Sequence, residues 1–304
     1  MSIETETLVI GTRGSALARW QSEWVKARLE ALWPGLRCNL EIFTTTGDRI
    51  LDRPLPEIGG KGLFTEELEA ALLEGRIDVA VHSLKDLPVE NPAGLTLGAI
   101  PERADARDVL VSARYAKLAD LPRGAKVGTS SLRRGAQLLR LRPDLVLESL
   151  RGNVDTRIGK AMRGDYDAIV LAAAGITRLG HADSIAAFLG FDEMLPAPGQ
   201  GALGIQCRQG DERILARLEP LGHVPTRDAV LAERAFLSGL GGGCSAPVAA
   251  LGTLLPTGLS LVGLVASPDG KRAVRVEGRG DEPLELGSRL AREALAAGAA
   301  ALLA

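Results

Sequence analysis

Aromatic residues make up only 3% of this 304-residue chain. Surfaces that stack nucleobases need such rings, so a single-stranded nucleic-acid platform is not expected. Positive charge is not in excess either: 36 Lys and Arg against 38 Asp and Glu leave a formal net charge of -2. That balance argues against a basic surface for nucleic acid, and any cationic site must be local. Three cysteines, none in a Cys-x-x-Cys pair, fit a reducing cytoplasm better than a disulfide framework. His82, His181 and His223 are the only histidines and share no metal-ligand spacing, so no metal site is expected. No Gly-x-Ser-x-Gly elbow is present. Uninterrupted apolar runs of about 18 residues are absent too, which excludes a helical membrane span. The stretch from Met1 to Glu6 is acidic with no long apolar run behind it, so a secretory signal is not expected.

What is present is an ordinary globular composition, 46% hydrophobic and 24% charged. At roughly 100–200 residues per domain the length predicts two or three domains. The chain opens as a βαβ unit. Thr7 to Ile10 is apolar, Ser15 can cap a helix with Ala18, Val25, Leu29 and Leu32 on one stripe, and Leu36, Cys38, Leu40 and Ile42 alternate as a strand. Gly59-Gly60-Lys61-Gly62 leads to Thr65 and a helix with Glu66 and Glu67 in its first turn. Leu55 and Gly62 stand where a Walker loop would need Gly and Ser/Thr. A second βα series begins near Asp108, and Pro/Gly breaks near 101 and 197 suggest that the chain leaves a first domain and later returns. From about 221 to the end, short strands and a closing helix predict a small α+β unit.

Cations recur where strands end. Arg13 lies in the first strand-to-helix turn, Arg133 and Arg134 follow Gly128-Thr129-Ser130-Ser131, Arg151 and Arg157 follow Leu145 to Leu150, and Arg178 follows Ala168 to Ala173. Each alone reads as a solvated surface residue. Together they predict a cleft that binds carboxylate or phosphate, because helix N-termini and guanidinium groups both favour anions. Arg133 and Arg134 carry the sharpest signal. Two arginines in a helix's first turn oppose its macrodipole, at a few tenths to about 1 kcal/mol each, which calls for an anion to hold them there.

Around Val81-His82-Ser83-Leu84-Lys85-Asp86-Leu87-Pro88, Ile77, Val79 and Val81 alternate as a half-buried strand that delivers a hydroxyl, an ammonium and a carboxylate at its end. Ligands of open α/β sheets bind at such carboxyl ends. Asp86 is therefore the leading candidate for acid/base or electrostatic work, although a turn cap paired with Lys85 accounts for it equally well on local grounds. Cys38 and Cys207 sit in phase with apolar neighbours and read as small buried hydrophobes. Cys244 lies in a glycine-rich loop without a core pattern, which suits either an inert loop thiol or one presented to a cleft.

Nearly the whole chain strongly resembles the porphobilinogen deaminase (hydroxymethylbilane synthase) family. The likeness runs in order through Gly11-Thr12-Arg13, Gly59-Gly60-Lys61-Gly62-Leu63-Phe64, Val81 to Asp86, Gly128 to Arg134, Leu150-Arg151-Gly152-Asn153, Pro198-Gly199-Gln200-Gly201 and Gly242-Gly243-Cys244. It implies an α/β protein of two periplasmic-binding-protein-like domains with a cleft between them, plus a small C-terminal α+β domain. The expected boundaries are 1–101 with 198–220, 102–197 and 221–304. The family condenses four porphobilinogen molecules head to tail with loss of ammonia, then releases linear hydroxymethylbilane by hydrolysis. Resemblance assigns catalysis to Asp86 and a covalent dipyrromethane cofactor to Cys244 through a thioether, with Ser83, Lys85, Asp86, Ser131, Arg133 and Arg134 around it. Arg13, Ser15, Lys61, Arg151, Arg157 and Arg178 are assigned to the substrate, whose pyrrole rings carry acetate and propionate groups. Glu57 stands near where many members carry a second loop lysine. No nucleic acid, membrane or metal is implied, and a cytoplasmic monomer is expected. The architecture alone would also suit a cytoplasmic binding or sensing module for a small polycarboxylate.

Overall fold

A computed structural model describes residues 6–49, 62–241 and 246–303. Glu57, Lys61 and Cys244, each singled out above, lie outside the described residues.

The first unit is built on β1 (Glu6–Arg13), α1 (Ala16–Leu32), β2 (Leu36–Phe43), the short α2 (Thr46–Arg49), α3 (Glu66–Leu73), β3 (Val79–Ser83) and β4 (Leu95–Ala99). Local chemistry sets the start of α1, because the Ser15 hydroxyl accepts from the Ala18 N–H at 3.3 Å. Ala18, Val25 and Leu29 are buried as the stripe predicted, but Leu32, the last residue of α1, is 44% exposed. Gln21 and Ser22 are buried alongside the stripe.

β1 pairs in parallel with β2 and β3. A single strand, β5 (Asp108–Val111), opens the second unit, which continues through β6 (Lys126–Gly128), α4 (Leu132–Leu141), β7 (Val146–Glu148), α5 (Val154–Arg163), β8 (Ala168–Ala172), α6 (Ala173–Arg178) and β9 (Ala187–Phe188). The chain then returns as β10 (Leu203–Arg208), which enters the first sheet between β3 and β4, antiparallel to both. The sheet orders are β2-β1-β3-β10-β4 and β7-β6-β8-β5-β9. Both follow one plan: three parallel strands, then an antiparallel strand, then an edge strand.

This plan corrects the reading of β3 as half-buried. Val79 and Val81 face Val25 and Leu29 of α1, while Ala80 packs with Leu68, Ala71 and Leu72 of α3, so both faces are covered. With β1 on one side and β10 on the other, β3 is the middle strand. Four of its five residues, Val79 to His82, are buried, on both faces alike.

After α7 (Glu212–Leu218), which packs onto the first sheet, comes the third unit. In it α8 (Val224–Gly239), α9 (Pro283–Ala296) and α10 (Ala300–Leu303) cover an antiparallel sheet of β11 (Val248–Leu255), β12 (Gly258–Ala266) and β13 (Ala273–Gly280). Phe236 is wholly buried there, and Gly263 makes room for it: a Cβ would sit 2.4 Å from the ring. The two segments that cross between the sheets touch at Gly201, whose φ is +86. A Cβ there would lie 2.6 Å from the Ala104 carbonyl oxygen, so no side chain fits. Among the described residues no helix is long and apolar enough to cross a membrane.

Candidate active site

Parallel pairing of β1 with β3 brings their carboxyl ends together, and a small cavity of about 70 Å³, open to solvent, lies there. Arg13, Ser15, Gln21, Phe64, His82, Ser83 and Asp86 line it. The Arg13 guanidinium lies over the Phe64 ring, 4.2 Å from its centroid, a cation–π contact that limits where the charge can point. Gln21, buried in α1, donates to Ser83 Oγ at 2.8 Å. A serine hydroxyl has a single proton to give, so this arrangement leaves the Ser83 O–H to donate into the cavity. Burial pushes the His82 imidazole down to about 4, helped by the charge of Arg13, so His82 is neutral at neutral pH.

Beyond Ser83 a single 3-10 turn, Leu84–Asp86, sets two ionisable side chains in opposite situations. Asp86 is exposed and makes no hydrogen bond or ion pair among the described residues. Lys85 points inward, with Nζ 3.5 Å from Gln200 Oε1. Burial pushes its ammonium down to about 8, and the charges of Arg134 and Arg133 act in the same direction while Asp86 and Asp108 oppose them.

Arg133 and Arg134 open α4 as expected, capped by Ser131, whose hydroxyl accepts from the Arg134 N–H at 3.4 Å. The anion that their position demands is present within the chain. Asp108, with no exposed surface, accepts from Arg133 Nη1 at 2.7 Å and from Arg134 Nε and Nη2 at 3.0 and 2.7 Å. Gln200 Nε2 completes the set at 3.0 Å. Burial alone would raise the Asp108 carboxyl, but the two guanidinium groups hold it well below the usual carboxylate range. The inference of a bound anion from helix-dipole conflict is thus met first by Asp108. Because β5 runs antiparallel to β8, its first residue lies at the carboxyl rim of the parallel strands. Arg133 also donates to the Leu195 carbonyl, and its Nε, buried, has no partner among the described residues.

The remaining arginines line the same rim. Arg151 carries a buried Nη2 without a partner among the described residues. Arg157 donates from Nε to the Gly152 carbonyl at 2.7 Å. Burial pushes it down to about 10, with the charges of Arg134 and Arg151 adding and Asp86 opposing, so the second unit's cations and Asp86 lie within electrostatic reach of one another. Arg178 at the end of α6 donates to the Gly201 carbonyl at 2.8 Å and lies 5.8 Å from the Trp20 ring centroid. Burial pushes it down to about 10 as well. Arg157 and Arg178 both remain charged at neutral pH. The structure therefore gathers Arg13, Ser15, Ser83 and Asp86 about one cavity, and Lys85, Arg133 and Arg134 about Asp108 and Gln200.

Residues 8–216 match the family profile described as "Porphobilinogen deaminase, dipyromethane cofactor binding domain", and residues 228–296 match its C-terminal domain. The chain belongs to the porphobilinogen deaminase family. Curated porphobilinogen deaminases of Geotalea uraniireducens and Geotalea daltonii are each 50% identical to it, over 301 and 299 residues, covering 98% of this chain and 94% of each relative. Among solved structures, a periplasmic substrate-binding protein of an ABC transporter from Coxiella burnetii aligns with TM-score 0.45 and 16% identity over 74% of this chain and 94% of that one. A methionine-bound nutrient-binding protein from Burkholderia cenocepacia aligns with TM-score 0.43 and 15% identity, over 70% and 90%.

The family's dipyrromethane cofactor carries carboxylates on each ring, and the donors left over at this site fit such a group. The Ser83 hydroxyl, Arg133 Nε and Arg151 Nη2 can give protons and have no acceptor within the described chain. Sequence reasoning gave no site role to Gln21, Phe64, Asp108 or Gln200, although Phe64 and Gln200 stand within motifs that carry the family likeness. Gln21 and Asp108 did leave a trace: one is polar on the apolar face of α1, the other is an acid opening an apolar strand.

Proposed function

We infer that Asp86 is the catalytic carboxylate of a transferase that condenses porphobilinogen, and that Cys244 anchors its dipyrromethane. The family's activity joins four porphobilinogen molecules with loss of ammonia and frees linear hydroxymethylbilane by hydrolysis, a step of tetrapyrrole biosynthesis. One observation carries the assignment of Asp86: it is an exposed carboxylate, unpaired among the described residues, that lines the cavity with Arg13 and lies within electrostatic reach of Lys85 and Arg157. A binding module without chemistry is not favoured by the family match.

When bound, the dipyrromethane supplies the pyrrole terminus from which the chain is extended. Ser83, Lys85, Ser131, Arg133 and Arg134 would hold its carboxylates, while Arg13, Ser15, Lys61, Arg151, Arg157 and Arg178 would hold those of porphobilinogen. Arginine suits the task, being permanently charged and able to grip a carboxylate with two parallel bonds. Ammonia leaves porphobilinogen with the electron pair of the broken C–N bond, so positive charge spreads over the pyrrole ring. An ionised Asp86 beside the ring N–H stabilises that charge, and can accept the proton released when the new C–C bond forms.

The boundaries 1–101 with 198–220, 102–197 and 221–304 are proposed as the three domains, each with its own sheet. A cytoplasmic monomer acting without nucleic acid or membrane is the accompanying proposal. Intact-protein mass spectrometry tests the anchor: the purified chain should exceed its sequence mass by a linked pyrrole pair, and Cys244→Ser should abolish the excess. An active protein of unmodified mass would overturn the assignment. Asp86→Asn should retain the adduct yet lose turnover by a factor of about 10² or more. A wild-type rate would remove Asp86 from the mechanism.

A further inference from the structure

Arg234, in α8, is 5% exposed and points at the turn that carries Asp86. Its Nη1 donates to the carbonyls of Leu84 and Leu87 at 3.3 and 3.0 Å, and its Nη2 donates to those of Pro88 and Val89 at 2.6 and 3.0 Å. One guanidinium from the third unit therefore grips four carbonyls on both sides of Asp86. One turn earlier on the same face of α8, Val230 packs against the buried Leu84 and Leu87.

The turn needs such a grip. Pro88 has no N–H to give, β3 has ended at Ser83, and the 3-10 turn itself is closed by one long bond, from the Leu87 N–H to the Leu84 carbonyl at 3.3 Å. The carbonyls of Leu87, Pro88 and Val89 thus accept from no backbone N–H among the described residues. A guanidinium, with five donors in a fixed fork and no acceptor, is the complementary group. Hydrogen bonds from a charged donor are stronger than those between neutral groups, so four of them outweigh the turn's own single bond. The same helix ends at Gly239, shortly before Cys244.

We propose that Arg234 is a positioning residue for the condensation: it fixes the backbone on which Asp86 stands and ties it to the helix that precedes Cys244 in the chain. This rests on the reading of Asp86 as the catalytic carboxylate. A displacement near 1 Å costs about 10²-fold in a well-oriented reaction. Lysine keeps the charge but cannot span four carbonyls, so Arg234→Lys should let the turn shift while leaving the substrate's carboxylate partners in place.

The test is a double-mutant cycle on holoprotein, its cofactor content checked by intact mass. In Arg234→Lys, kcat should fall by about 30- to 100-fold with KM within about threefold of wild type. In an Asp86→Glu background, where the carboxylate is already displaced, Arg234→Lys should lower kcat by no more than about threefold further. Hydrogen exchange of the 84–89 segment should accelerate in Arg234→Lys while that of β3 stays unchanged. Losses that multiply independently, a change in KM alone, or unaltered exchange at 84–89 would each overturn the proposal. A wild-type rate in Asp86→Glu would instead overturn the reading of Asp86. Arg234→Met is the harsher companion; if it does not fold, the lysine variant carries the cycle.

Discussion

Replacing Asp108 with asparagine removes one negative charge and keeps the shape, so it isolates what that carboxylate does beneath the candidate site. In the wild type it compensates two buried guanidinium groups through three bonds of 2.7–3.0 Å. Leaving a buried charge without its partner costs about 3–5 kcal/mol. The carbonyls of Leu195 and Val170, which also accept from Arg133 and Arg134, persist in the variant and hold the loss toward the lower end. The three tryptophans, Trp20, Trp24 and Trp33, all belong to the first unit, so their fluorescence is the wrong probe for this change. Hydrogen exchange of β6 and β8 amides reads the second unit directly, and about 3–5 kcal/mol corresponds there to exchange faster by about 10² or more. The pH dependence supplies an independent sign. Asp108 titrates below its unfolded value near about 3.9, so its contribution is fully present above that value and is lost as pH falls through the folded one. Asp108→Asn should lack this part of the acid transition. Exchange changed less than about tenfold, with the acid limb intact, would refute the claim that Asp108 balances the pair.

Lys85 should impose an alkaline limb. Burial sets its pKa to about 8, so its grip on a carboxylate holds below that pH and fades above it. Capture of the pyrrole adduct by apoprotein, followed by intact mass across the neutral to alkaline range, should decline about a midpoint near 8, and Lys85→Arg should flatten the profile. Folding stability runs the other way: between about 8 and the unfolded value of about 10.4 the unfolded chain binds more protons, so this group's burial penalty lifts as pH rises. Gln21→Leu should free the Ser83 hydroxyl to turn away from the cavity, raising KM by about fivefold to tenfold with little change in kcat, since about 1 kcal/mol is typical for one hydrogen bond. An unchanged KM would separate Gln21 from substrate capture. Phe64→Leu should remove the ring beneath Arg13 and weaken substrate binding by about threefold or more, measured as KM, in line with a cation–π contact of about 0.5–1 kcal/mol.

Local chemistry was legible in the chain itself. Ser15 caps the helix that it was expected to cap, and Ser131 caps α4 in the same way, because a hydroxyl reaches an N–H three residues on without help from the rest of the fold. The apolar runs became strands, Cys38 and Cys207 lie in the core, and Arg13 and Arg151 stand where strands end, whereas Arg157 lies within α5 and Arg178 closes α6. The family likeness and its chemistry were also carried by motifs that stand unbroken in the sequence. Other features depend on pairings that no local pattern encodes. Insertion of β10 beside β3 covers the flank that the sequence left open, and the antiparallel entry of β5 sets Asp108 against Arg133 and Arg134. Gln21 meets Ser83 from 62 residues away, and Arg234 reaches Leu84 across 150. Contacts so distant in sequence are decided by how sheets and helices stack, so tertiary structure alone determines which of the cations are already neutralised and which carboxylate, Asp86, is left exposed.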